Sequence, residues 1–267
     1  MVHLLSDLEV GEMESAAAGR PRAEKDLMPM MSSPQTLLVL ADRGTMPFEA
    51  LHGEPLYLHA LRALVDAFPA EATVSVDVHH EARVRAEVNA FGLPARVVAG
   101  HAWWAESDRQ GTDLILHDAL CPLTSVQFLR EVRERAVERP GCSFMSFRPV
   151  TDTLKTIANE RIRDTIDREG LAALTSPALV SASALGRATR ANRRPPLSDF
   201  AELAAWLRTL GDVELVKAPS LARRVDDPSA VNVLECLDEV GRRVRIESSD
   251  PQVVHSPLSG GSGTRTP

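Results

Sequence analysis

The sequence predicts an α/β fold: a mostly parallel sheet with helices on both faces and a protruding β-arm. Three observations predict it. Short apolar runs alternate with amphipathic stretches in the order strand, helix, strand, helix, strand, the signature of parallel strands joined by right-handed crossovers. One run, Leu114-Ile115-Leu116, ends abruptly in His117-Asp118, and open α/β sheets bind their ligands beyond the carboxyl ends of the strands. Two alternating, β-rich runs, leading from Pro149 through Lys155 and from Ile162 to Leu171, flank a polar tip at Asn159-Glu160. They read as a hairpin arm over about 149–177.

Each element has a local reason. Thr36 to Ala41 is a continuous apolar run, as a strand buried on both faces requires. Asp42 to Pro47 is a loop. Pro55 to Phe68 carries Leu56, Leu58, Leu61, Leu64, Val65 and Phe68 at helical spacing. Thr73 to Val78 is a second strand. Glu81 to Phe91 is amphipathic, with Ala82, Val84, Val88 and Phe91 against Glu81, Arg83, Arg85 and Glu87. Ala95 to Ala99 and Leu114 to Leu116 are the third and fourth strands. Ser125 to Val137 is a helix with Ser125 as its N-cap, and Cys142 to Arg148 is a fifth strand. After the arm, Ser181 to Arg190 and Ser198 to Leu210 read as helices, Val213 to Val216 as a last strand, and Pro228 to about Val244 as a final helix. Asp226-Asp227 suits the N-terminus of that helix.

Composition bounds the function. The chain has 267 residues, is 44% hydrophobic and carries a net charge of −7. That charge disfavours a general nucleic-acid binder, which needs a basic face. The local basic cluster of Arg187, Arg190, Arg193 and Arg194 reads either as a solvated loop after a helix or as a phosphate or partner contact. Three cysteines, Cys121, Cys142 and Cys236, have no Cys-x-x-Cys spacing and fit a reducing cytoplasm. No apolar run approaches the ~20 residues that span a bilayer, and the N-terminus lacks a secretory h-region. Residues 1–34 and 247–267 read as disordered tails around one domain over 35–246. His79-His80-Glu81 reads as a strand end entering a helix, since no second ligand set with zinc spacing follows. No Gly-x-Ser-x-Gly elbow is present.

Four segments share one order and spacing: His117-Asp118-Ala119-Leu120-Cys121-Pro122, Val150-Thr151-Asp152-Thr153-Leu154-Lys155, Ile166-Asp167-Arg168-Glu169-Gly170-Leu171 and Ser176-Pro177. Together they resemble the 2-C-methyl-D-erythritol 4-phosphate cytidylyltransferase family, over Thr36 to about Arg242. The resemblance implies a Rossmann-like nucleotidyltransferase domain that moves CMP from CTP onto a polyol phosphate in isoprenoid precursor synthesis. It implies Asp118 as the ligand of Mg²⁺. It implies Thr153, Lys155, Arg168 and Ser176 as contacts to the sugar-phosphate acceptor, and Ala41, Gly44 and Gly100 as contacts to the nucleotide. Arg43 and Arg224 are the implied catalytic cations, Arg224 standing for the family's lysine with the same charge but a different geometry. The arm implies a homodimer, and a lone two-stranded ribbon is marginal in water.

Departures from the pattern fall on the nucleotide side. Cytidylyl transfer needs backbone N–H groups around a triphosphate, positive charge on the developing anion and a carboxylate-held magnesium. The loop Leu40 to Glu49 is shorter than the family's, holds one glycine and places Asp42 where a triphosphate would lie. Phe48 stands where the family has lysine after proline, and Cys121 where it has arginine. The connection from Gly100 to Arg109 is too short for the family's helix, so Trp103 and Trp104 either stack on a base or fill the space that helix leaves. Two readings follow: a nucleotidyltransferase whose activity is weak, altered or absent, or a non-catalytic dimeric binding or regulatory protein on the same fold. A thiol nucleophile at Cys121 has no support in the sequence.

Overall fold

A computed structural model describes residues 33–106, 111–151 and 153–249. The expected tails lie almost wholly outside these residues, as do Asp108, Arg109 and Asp152.

The chain opens with β1 (Gln35–Val39), a small hairpin of β2 (Ala50–Leu51) and β3 (Glu54–Pro55), then α1 (Leu56–Ala67), β4 (Ala72–Val76), α2 (Glu81–Ala90) and β5 (Ala95–Ala99). The short α3 (Trp103–Glu106), β6 (Leu114–Asp118), α4 (Val126–Glu138) and β7 (Ser143–Pro149) follow. The arm is β8 (Leu154–Ala158) and β9 (Arg161–Ile166). It leads to β10 (Ala172–Val180), α5 (Ala182–Arg190), α6 (Phe200–Arg208), β11 (Val213–Lys217) and α7 (Pro228–Ser249). Seven strands form one sheet in the order β11-β7-β10-β6-β1-β4-β5. β6, β1, β4 and β5 run parallel, as do β11 and β7, while β10 lies antiparallel to both of its neighbours. The sheet is therefore mostly parallel.

Its two faces carry two cores, and the side-chain period of two distributes each strand between them. Leu38 and Leu40 pack with Leu61, Leu64 and Phe128 from α1 and α4. Leu37 and Val39 pack on the other face with Trp103, Leu185, Leu203 and Leu207. All five residues of β6 are buried, which is why its apolar run shows no alternation. A third cluster seats Val231 and Leu234 of α7 on Leu51, Leu56 and Leu120.

Caps fix the helix starts. Ser125 Oγ accepts from the Phe128 N–H at 3.2 Å, and Asp227 Oδ1 accepts from the Ala230 N–H at 3.0 Å. Asp199 accepts the N–H groups of Ala201 and Glu202, so α6 begins at Phe200 and not at the expected Ser198.

The expected arm needs a correction. Only β8 and β9 form the ribbon, turning through Asn159 and Glu160, both in the left-handed region with φ at 50° and 60°. Such a two-residue turn matches the twist of a hairpin. Residues 172–177, assigned to the arm from sequence, belong to β10 at the middle of the sheet. Pro177 hid the strand, because proline cannot donate to a ladder. It falls at the irregularity between Thr175 and Ala178, where no regular partner is needed.

Candidate active site

The loop after β1 and the carboxyl end of β6 meet Ser176 within β10 and the segment before α7, and they bring three expected residues together. Asp118 ends β6 and is buried. Arg43, from the loop after β1, donates from Nε to Asp118 Oδ1 at 3.3 Å and Oδ2 at 3.1 Å, and from Nη2 to Oδ2 at 2.9 Å. The two side chains are 3% and 2% exposed. Arg43 Nη2 also donates to the Leu197 carbonyl, which ties in the segment between α5 and α6. Arg224 brings its Nε within 3.4 Å of Asp118 Oδ2, while its Nη1 donates to Asp226 at 2.8 Å. Its guanidinium lies 5.8 Å from the Phe200 ring centroid.

Asp118 Oδ1 further accepts the Leu120 N–H at 2.9 Å. A carboxylate offers about four acceptor sites; three N–H donors bond those of Asp118, and Arg224 closes on Oδ2 as an ion pair. Magnesium demands near-octahedral oxygen geometry and keeps several of its waters. A carboxylate ringed by two guanidinium groups and closed from solvent does not fit it. Asp118, the implied ligand of Mg²⁺, is held here by protein donors. Among the described residues no group of three His, Cys, Asp or Glu side chains is placed to hold a metal ion.

The expected nucleotide contacts are spent likewise. The N–H groups of Leu40 and Ala41 both donate to the Ser75 carbonyl, at 2.8 and 3.0 Å. That of Asp42 donates to Asp77 Oδ1 at 3.2 Å, and that of Arg43 to the Leu40 carbonyl at 3.3 Å. The Gly100 N–H donates to the Val76 carbonyl at 2.7 Å. Ala41 and Gly100 therefore do not present these donors to a phosphate. Gly44 holds φ at 58° with open space where a Cβ would stand, so glycine there serves the turn.

Phe48 turns away from this group. Its ring packs 5.8 Å from Tyr57 and 4.5 Å from His80, with the Arg83 guanidinium 4.5 Å from its centroid. The His79 and His80 rings lie 4.1 Å apart, tilted by 54°, at the entry to α2. Trp103 and Trp104 are both buried in the second core, edge to face at 5.5 Å. Of the two roles open to them, the structure gives them the space-filling one.

Ser176 is fully buried. Its Oγ accepts the Asp118 N–H at 2.8 Å and lies 2.7 Å from His117 Nδ1. The direction of the Ser176–His117 hydrogen bond follows the tautomer, and burial keeps His117 neutral. Ser176 thus positions the end of β6. Thr153, Lys155 and Arg168 lie on the exposed arm. Lys155 donates to Thr165 Oγ1 across the ribbon, and Arg168 to the Thr151 carbonyl.

His117 and Cys121 read as chemistry in sequence and as packing in structure. Burial holds the His117 pKa down at about 4, against the opposing pull of Asp118. The unfolded chain takes up a proton near 6.5 that the folded chain refuses, so stability falls as pH drops from about 6.5 towards 4 and is fully present above. The full loss is about 3 kcal/mol. Urea unfolding across this window is expected to show a shallower pH slope for His117→Asn, whose amide offers either a donor or an acceptor to Ser176; equal slopes would refute the assignment.

Burial first, then the Asp118 charge, push the Cys121 thiol up to about 12. Thr175 spends its hydroxyl proton on the Ala222 carbonyl at 2.9 Å, so Cys121 donates to Thr175 Oγ1 at 3.6 Å. Burial likewise raises Cys142 to about 11. Cys236 is exposed. Iodoacetamide at mild alkaline pH is expected to add one group rapidly, at Cys236, because only an accessible thiolate reacts; fast modification of Cys121 would contradict its burial.

Sequence reasoning missed the residues that close the site by backbone: Leu197 and Ser75 act through carbonyls, which leave no mark in side-chain identity. The loop carrying Leu197 adjoins Arg193 and Arg194 of the expected basic cluster. Burial and then the Arg194 charge lower the pKa of His101, placing that arginine near the loop after β5.

Comparison with known proteins agrees with this layout. The family model described as IspD, 2-C-methyl-D-erythritol 4-phosphate cytidylyltransferase, matches residues 44–233. A bifunctional enzyme IspD/IspF from Anaeromyxobacter sp. (strain Fw109-5) is 37% identical over 134 residues, 45% of this chain and 34% of its own length. One from Rhodospirillum rubrum is 30% identical over 235 residues, 81% of this chain and 58% of its own length. The chain thus matches less than two thirds of the length of these relatives. The crystal structure of 2-C-methyl-D-erythritol 4-phosphate cytidylyltransferase from Thermus thermophilus superposes with a TM-score of 0.59 at 23% identity, over 76% of this chain and 98% of that one. That of 4-diphosphocytidyl-2C-methyl-D-erythritol synthase from Anaerococcus prevotii gives 0.62 at 13% identity, over 78% and 96%. At these identities the two structures speak for the fold.

Proposed function

Since the chain belongs to the 2-C-methyl-D-erythritol 4-phosphate cytidylyltransferase family, we propose that it is a nucleotidyltransferase-fold protein of isoprenoid precursor synthesis in which CMP transfer from CTP to a polyol phosphate is weak or absent. One observation carries this reading: the loop after β1 spends its first backbone donors on Ser75, Asp77 and Leu40, and its one cation on Asp118. A triphosphate needs preorganised N–H groups and positive charge aimed at the developing anion, and here both are committed within the protein. Phe48 and Cys121 add apolar or buried groups where the family supplies cations. Arg224, about a quarter exposed, is the cation best placed to reach a ligand.

The arm supports a homodimer. Ile157 and Ile162 face one another across the ribbon and are 71% and 68% exposed. A two-stranded ribbon with bare isoleucines buries them only against another surface. Acidic charge argues against nucleic acid as partner, and three free cysteines support a reducing compartment such as the cytoplasm. Among the described residues no helix is long and apolar enough to cross a membrane.

The test is release of pyrophosphate by purified protein given CTP, 2-C-methyl-D-erythritol 4-phosphate and Mg²⁺. Ordinary enzymes turn over at about 1–10³ per second, and turnover in that range would overturn the proposal. Phe48→Lys alone is expected to restore nothing, because that position packs against Tyr57 and His80 and the loop donors stay committed.

A further inference from the structure

Asp118 faces two guanidinium groups, one of them shared with Asp226. Arg43 grips both of its oxygens, Arg224 approaches Oδ2 at 3.4 Å, and the Leu120 N–H takes the remaining direction on Oδ1. Arg43 is itself held from behind by the Leu197 carbonyl. A divalent ion could reach Asp118 only by displacing a buried guanidinium, which would then sit uncompensated beside a dication. Like charges in such a space exclude one another.

We propose that Arg43 stands at Asp118 in the place of a divalent cation, so that this site takes phosphate-bearing ligands without added metal. Asp118 then acts as a positioning residue, holding Arg43 and leaving the more exposed Arg224 to meet the ligand. A guanidinium suits this exchange: it is charged at every accessible pH, planar, and matched to a carboxylate on one edge. Its reach is fixed by the loop, and the short connection from Leu40 to Met46 delivers Arg43 to the end of β6. This rests on the reading of Asp118 as part of the family's ligand site, but not on whether CMP transfer occurs.

Mn²⁺ alone is the first probe, followed by its electron paramagnetic resonance signal with the full chain. The wild-type protein is expected to leave the free-ion signal undiminished. Arg43→Met, which keeps the stem and removes the charge, is expected to gain a Mn²⁺ site that Arg43→Met/Asp118→Asn loses. A wild-type site abolished by Asp118→Asn overturns the proposal, and so does a folded Arg43→Met that gains none. Calorimetric titration with CTP gives the second readout. The wild-type dissociation constant in EDTA is expected within about threefold of that in Mg²⁺, a difference of under 1 kcal/mol, and a strict magnesium requirement overturns the proposal. Should CTP bind in neither buffer, the nucleotide reading fails by itself and the Mn²⁺ series still decides the role of Arg43. If Arg43→Met does not fold, the wild-type and Asp118→Asn titrations with Mn²⁺ decide it.

Discussion

Asp118→Ala is expected to lower the unfolding free energy by about 3–5 kcal/mol, the range for breaking a buried ion pair by removing one partner. The cost lies in what is left behind. Arg43 is 3% exposed, and without the carboxylate its guanidinium keeps the Leu197 carbonyl but no opposing charge from Asp118. The Leu120 N–H loses its acceptor as well, and Arg224 loses one of its two acids. At about 2–4 °C per kcal/mol for a domain of this size, the midpoint falls by roughly 6–20 °C. Arg43→Met/Asp118→Leu removes both charges at once and is expected to recover most of that loss, because a buried pair is often replaced by apolar groups at little cost. Asp226→Ala is the control. Its side chain is 44% exposed, so removing its pairing with Arg224 costs at most about 1 kcal/mol. Urea unfolding followed by circular dichroism measures all three. An Asp118→Ala protein as stable as the control would mean that the pair is not closed, and the committed-donor reading of the site would fall with it.

Much of this arrangement was legible in the sequence and part of it was not, for a physical reason in each case. Strands buried on both faces announce themselves as continuous apolar runs, and β1, β4, β5, β6 and β7 were found within two residues of their observed ends. Ser125 revealed a helix start because its side chain does the capping. β10 was lost because Pro177 and the small Ala172-Ala173 pair disguise a central strand beside a true ribbon. In the site, the motif spacing drew attention to Asp118, Arg43 and Arg224, and they do meet. What they do on meeting was not legible. The sequence shows that a cation and an acid are present, whereas their mutual neutralisation depends on loop length and on a carbonyl from Leu197, seventy-nine positions beyond Asp118. Ser176 illustrates the same limit: a hydroxyl in a ligand motif became a bracket for the end of β6, because β10 carries it into the core.

Trp103→Ala is expected to cost about 3–5 kcal/mol, the range for removing a buried aromatic from a packed core. Trp103 is 1% exposed and sits among Leu37, Val39, Leu185 and Leu207, with Trp104 packed edge to face against it. The neighbouring strands are held by ladder hydrogen bonds and cannot collapse into the vacated volume, so a cavity term adds to the lost burial. Trp103→Phe retains part of the ring and is expected to cost less. The competing role, stacking on a base, predicts a different pattern. A stacking residue is exposed in the free protein, and its removal weakens ligand binding by about 1–3 kcal/mol while leaving stability nearly unchanged. Parallel measurement of the urea midpoint and of CTP binding separates the two. Loss of stability with no selective loss of CTP binding would establish that the short connection after β5 uses tryptophan to rebuild the core. Unchanged stability with weakened binding would return Trp103 to the site and show that the segment opens when a nucleotide arrives.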